Sequence, residues 1–247
     1  MSGWVLLRVV KFVALAGLAA GLALGAGQRR QADRAAATFW LATPALWLTL
    51  VSGYLLMKTT GRSLAEPFVG VALVASLTAL HGAVLAATRP NPGVVSRALA
   101  FGGLAGATAA MVTRDAPLGV TLGTFALAAA LGVGVAFAAP APDGASEDPG
   151  LERWFVWVAR AEGASLLAMV LVAMPVRRAF GVSLDGGTGA LGWGHGMLVL
   201  LYLQALSVTA RRLGWSWGTA ALAFGSSVVP FGTFVFEAFA LRPPRDG

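Results

Sequence analysis

The chain has 247 residues, of which 57% are hydrophobic and only 12% charged, with a mean hydropathy of +0.75. A water-soluble domain carries about a quarter charged residues because its surface faces water, so this composition excludes an ordinary cytosolic fold and makes lipid the main solvent. The absence of cysteine removes disulfides, thiolate nucleophiles, iron–sulfur clusters and cysteine-ligated zinc, and two histidines leave little room for a histidine metal site. A net charge of +7 without a basic soluble domain speaks for anionic head groups and against nucleic acid.

A helix needs about twenty apolar residues to cross the hydrocarbon, and counting such runs predicts an all-α polytopic protein with eight spans. The first runs from Trp4 to Gly27, with Arg8 and Lys11 able to snorkel near its start. The next four are Ala35 to Met57, Phe68 to Thr88, Val94 to Thr113 and Leu118 to Ala139; the fourth is the weakest, being glycine-rich and containing Arg97. Then come Trp154 to Met174, Gly189 to Ala210 and Gly218 to Leu241. Between the fifth and sixth, Pro140 to Glu152 (PAPDGASEDPGLE) collects prolines, glycines and acids, which reads as a linker. The predicted domains are therefore a five-helix unit, 1–139, and a three-helix unit, 153–247.

A cleaved signal peptide competes for the first segment. Against it, Gly17, Gly21 and Gly25 share one helical face, as in a packed membrane helix; Gly102/Gly106, Gly119/Gly123 and Gly192/Gly196 repeat that spacing. With the N-terminus inside, nine basic residues fall on the cytoplasmic side and eight, Arg34 among them, on the other, so charge does not orient the chain.

Three landmarks recur in order across the linker: Gly61-Arg62-Ser63-Leu64 and Gly181-Val182-Ser183-Leu184, His81-Gly82 and His195-Gly196, and ALAFG at Ala98 and at Ala221. They fit two parallel four-helix repeats; chance recurrence in an Ala/Leu/Gly-rich chain is the competing reading.

The last third carries Arg160-Ala161-Glu162-Gly163 with Ser165, Met174-Pro175 followed by a basic residue, His195-Gly196, Tyr202, Trp215, and Pro230-Phe231-Gly232-Thr233-Phe234 ahead of Glu237. In these motifs, over about residues 152–242, it resembles the small bacterial integral membrane proteins grouped as domain of unknown function 3817. The resemblance implies three spanning helices in a bacterial cytoplasmic membrane and no established activity. It does not cover the first five spans.

Ionisable residues inside a span are costly and face protein or a wet cavity. Arg160 and Glu162 are two residues apart, about 200° around a helix, so they point to opposite faces and cannot form one pair. Ser165 shares the Glu162 face, and Glu162 is expected to point into the three-helix unit. His195 shares a stripe with Tyr202 and, by helical depth, is placed to meet Glu237, with Arg177, Arg178 and Asp185 in the loop above. Pro230 removes the donor for the Ser226 carbonyl and Gly232 follows, so a break is expected there, with Ser227 or Thr233 available to re-satisfy the backbone. Pro44 is a second candidate kink.

Each of these polar residues has a bland reading, a satisfied contact that pins helices, and a sharp one, a solute or proton site. Hydrolase, nucleotide-binding and metalloprotease motifs are absent, so no catalytic residue is assigned. Haem between His81 and His195 is disfavoured because helical rise sets them at different depths; no cofactor or metal is expected. Two functions remain: a non-catalytic membrane component packing with lipids or other membrane proteins, or a small-solute or proton carrier using Arg160, Glu162, His195 and Glu237.

Overall fold

A computed structural model of the chain describes residues 3–28, 30–89, 92–113, 117–138, 150–185 and 187–240. Among them the regular structure is entirely helical: α1 Gly3–Gly27, α2 Gln31–Thr59, α3 Pro67–Ala87, α4 Val94–Val112, α5 Leu118–Ala138, α6 Leu151–Phe180, α7 Ala190–Arg212, α8 Trp217–Ser226 and α9 Gly232–Ala240. Six stretches are long and apolar enough to cross a membrane, namely Val5–Gly25, α2, α3, α4, α6 and α7. The two other expected spans differ in kind. The fifth is the helix α5, whose 21 residues, Leu118–Ala138, carry no charge. The eighth is divided into α8 and α9 by the turn after Ser226.

The chain separates into two compact units, Met1–Gly150 and Leu151–Gly247. Residues 140–149 of the expected linker lie outside the described residues, and Glu152 is already in the first turn of α6. The sixth span is also longer than its apolar run. Arg177 and Arg178, expected in a loop, occupy the last turn of α6, where cations meet the negative end of the helix dipole.

In the first unit, small residues set the helix spacing. Gly17, Gly21 and Gly25 lie against Ala45, Ala42 and Thr38, so α1 rests on α2 through one glycine face; a β-carbon at Gly21 would sit 2.6 Å from the Ala42 nitrogen. Gly82 meets Ser96 and Ala100, and Gly103 meets Ala75 and Ala79, which draws α3 and α4 together. Gly102 and Gly106 are buried in α4. The other two glycine pairs do not serve close packing: Gly119, Gly123, Gly192 and Gly196 have open space where a side chain would stand.

Arg34, one of the eight basic residues counted on the side opposite the N-terminus, is fully buried. Its guanidinium donates to the carbonyls of Ala86 at 3.2 Å, Gln28 at 3.1 Å and Arg89 at 2.8 Å. One planar fork thus ties the start of α2 to the carbonyl end of α3, which offers unsatisfied acceptors and negative partial charge.

Both long proline-containing helices widen before the proline. Residues Ala37–Ala42 of α2 and Ala168–Ala173 of α6 form π turns, in which the Thr43 and Met174 amides reach back five residues to Thr38 and Met169. Pro44 and Pro175 follow directly. A proline ring clashes with the carbonyl four residues earlier, and the wider turn makes room without ending the helix. The expected kink at Pro44 is therefore a π turn. Each helix is then left through a glycine near φ +70°, Gly61 (φ 70) and Gly181 (φ 66), a left-handed position that side chains disfavour.

Candidate functional site

The second unit consists of α6 packed on α7 and α9, with α8 bridging α7 and α9. Its length sets the depth of the polar residues. Arg153 and Arg177 on α6 are about 36 Å apart at ~1.5 Å per residue, close to a bilayer with its interfaces, and place Glu162 about 14 Å in from the Arg153 end.

Arg160 and Glu162 separate as their spacing dictates. Arg160 is turned outward, and its guanidinium makes a two-point pair with Glu237 of α9, Nε to Oε2 at 2.9 Å and Nη2 to Oε1 at 2.5 Å. Glu162 points inward and is fully buried, and neither carboxyl oxygen has a hydrogen-bond partner among the described residues. Next to it, Gly163 lies so close to Thr233 and Phe234 of α9 that no side chain would fit. Thr233 is itself buried, with its hydroxyl unpartnered. Two orphaned polar groups thus occur in the interior, one on α6 and one on α9.

His195 does not take Glu237 as its partner. Its Nδ1 lies 2.9 Å from Ser165 Oγ, and that hydroxyl donates to the Glu162 carbonyl at 2.7 Å. With the serine proton so committed, the ring nitrogen is the donor. The last span is not one helix, so depth along it does not bring Glu237 to His195. The chain turns at Ser227 to Phe231, Phe231 adopts φ 66, and α9 restarts at Gly232 with a new phase that carries Glu237 to Arg160.

The break falls at Pro230 as expected, and Gly232 is the residue that makes it compact: a β-carbon there would collide with the Ser226 carbonyl. Ser226 and Ser227 turn their hydroxyls back onto the Ala223 and Phe224 carbonyls, at 2.6 and 2.8 Å. Tyr202 donates to the Ala223 carbonyl at 2.7 Å, fastening α7 to the end of α8. Its ring belongs to an aromatic run not evident from spacing: Phe155 lies 5.6 Å from Tyr202 and 5.6 Å from Trp215, and Trp215 lies 5.5 Å from Phe236. These residues sit on three helices and a loop, so no linear period reveals them.

Between α6 and α7, the Asp185 carboxylate accepts from the Ser183 hydroxyl, from the Gly187 amide at 3.1 Å and from the Leu191 amide at 3.5 Å. The serine contact foremost, then the backbone donors, hold this carboxyl below its usual range. Among the described residues no group of three or more His, Asp or Glu side chains is placed to hold a metal ion.

Apolar helices long enough to cross the bilayer, with charges confined to helix ends, ion pairs or the bundle interior, define a multi-pass α-helical membrane protein. Within it, residues 152–242 match the model of the domain of unknown function DUF3817, a stretch that lies within the C-terminal unit and takes in most of it. No curated protein and no solved structure matches the chain.

Proposed function

We propose that the protein is a non-catalytic component of the bacterial cytoplasmic membrane that crosses it eight times, as a five-helix domain and a three-helix domain joined at the acidic linker, and packs with lipids and other membrane proteins. The observation that carries this reading is the Arg160–Glu237 pair, which commits two charges within the helices to fastening α9 to α6. The His195–Ser165 and Tyr202–Ala223 contacts are likewise between helices. Lipid contact is supported in the first unit by a cavity of about 270 Å³ at the end of α2, lined by Tyr54, Met57, Lys58, Arg62, Ser63 and Leu64. Basic pockets at helix ends suit anionic head groups.

The reading includes an ancestral duplication into parallel four-helix repeats. Its support is the shared order of π turn, proline, left-handed glycine, His-Gly helix and ALAFG helix. Aligned on the prolines, Glu162 corresponds to Gln31, also buried, so the ionisable position belongs to the second half alone.

A second reading, a proton or small-solute carrier, rests on one observation, the buried and unpartnered Glu162. The two are separated by replacing Arg160 or Glu237 with alanine and measuring thermal stability in detergent alongside flux in liposomes. The component reading expects a lower melting temperature in either variant, with wild-type flux at the level of empty vesicles. Proton-coupled flux that Glu162→Gln abolishes at unchanged stability would overturn it in favour of the carrier.

A further inference from the structure

The break between α8 and α9 brings together features that the interhelical contacts leave unused. Pro230 has no N–H, so the Ser226 carbonyl at the end of α8 loses its helical donor. Gly232 holds the backbone tightly against that carbonyl. Tyr202 connects this end to α6: its hydroxyl donates to the Ala223 carbonyl, which also accepts from Ser226, and it lies within electrostatic reach of Glu162. On the other side, Gly163, the residue after Glu162, lies against Thr233, whose hydroxyl is buried and unbonded. A buried carboxylate and a buried hydroxyl without partners, and the Ser226 carbonyl without its helical donor, thus belong to neighbouring segments of this unit, all oxygens and all hard ligands.

We propose that Glu162, Thr233 and the carbonyl end of α8 form a binding site for a single dehydrated monovalent cation of the alkali class, in competition with a proton. The charge is set by the count of carboxylates. Arg160 faces away and is neutralised by Glu237, and His195 is held by Ser165, so Glu162 supplies the one compensating charge on its face. One carboxylate in a low-dielectric interior balances a monovalent ion, whereas a divalent ion would retain an uncompensated charge and ordinarily draws further carboxylates. Oxygen donors favour alkali ions over transition metals. Discontinuous membrane helices provide this combination elsewhere, an exposed carbonyl end together with a side-chain carboxylate. The site holds whether the ion remains in place or crosses, and thus goes beyond both readings above.

The test is the melting temperature of the full-length protein in lipid nanodiscs at pH 8, titrated with NaCl or KCl against choline chloride at constant ionic strength. Binding to the folded state predicts a saturable rise with an alkali ion, roughly 5–10 °C at a hundred times the half-saturating concentration, and none with choline. Glu162→Gln should abolish the rise, and Thr233→Val should raise the half-saturating concentration about tenfold. At pH 5 proton competition should likewise weaken the effect. Equal curves for alkali ions and choline, or an alkali response unchanged in Thr233→Val, would overturn the site; the latter decides even if Glu162→Gln fails to fold. Flux is read separately, so ion-dependent stability without flux removes the carrier and leaves the site, and flux without ion-dependent stability does the reverse.

Discussion

At Gly163 the backbone of α6 approaches Thr233 and Phe234 so closely that α9 can dock only because no β-carbon intervenes. Gly163→Ala should therefore destabilise the protein by about 1–3 kcal/mol, the range for overpacking a filled interior, read as a lower melting temperature in detergent. An unchanged melting temperature would mean that α9 does not dock there. Some of this residue-level chemistry is legible in sequence, because a helix turns 100° per residue: Arg160 and Glu162 had to diverge, and they do. The partners were not legible. His195 takes Ser165 and Glu237 takes Arg160 because the restart at Gly232 changes the phase of the last helix, and a proline signals a break without giving its rotation. Arg34 was hidden for a different reason. It precedes an apolar run as a loop charge would, and only the fold brings three carbonyls to its guanidinium.

Helices were placed well by apolar runs, and their ends by prolines and glycines, but not their internal form. Widening before Pro44 and Pro175 lets α2 and α6 continue where proline alone predicts a kink, since a five-residue hydrogen bond removes the clash. The runs also stop short of the true ends, because Arg177 and Arg178 are stable in a last turn beside free carbonyls. The loop that follows is organised by Asp185, which links Ser183 to the entry of α7. Its carboxyl is held below the ordinary range in the folded chain, so its stabilisation is present above that range and is lost as pH falls through the folded value. Asp185→Asn should accordingly melt below wild type at pH 7, and the gap should close on acidification to about pH 3 or lower. A gap of the same size at both pH values would show that the carboxylate charge plays no part.

At the scale of the whole molecule, composition alone establishes the class, because 57% hydrophobic and 12% charged residues leave too little polar surface for a water-soluble fold. Proline and glycine in the acidic segment are the signal read as a division, and the two compact units meet in sequence at Gly150 and Leu151. The number of crossings is harder to read, since the last span is divided; among the described residues length and hydropathy identify six helices, while the proposed architecture requires eight. Because the chain contains no cysteine, single cysteines can be introduced without background. The most direct test is to place one at Ser63, Thr188 or Asp246 and label intact cells and inverted membranes with an impermeant thiol reagent. Five crossings before α6 and eight in total predict that all three positions label from the same side of the membrane. Labelling of Ser63 and Thr188 from opposite sides would show that α5 does not cross, and labelling of Thr188 and Asp246 from opposite sides would show that the α8–α9 segment turns back, either of which contradicts the eight-span architecture.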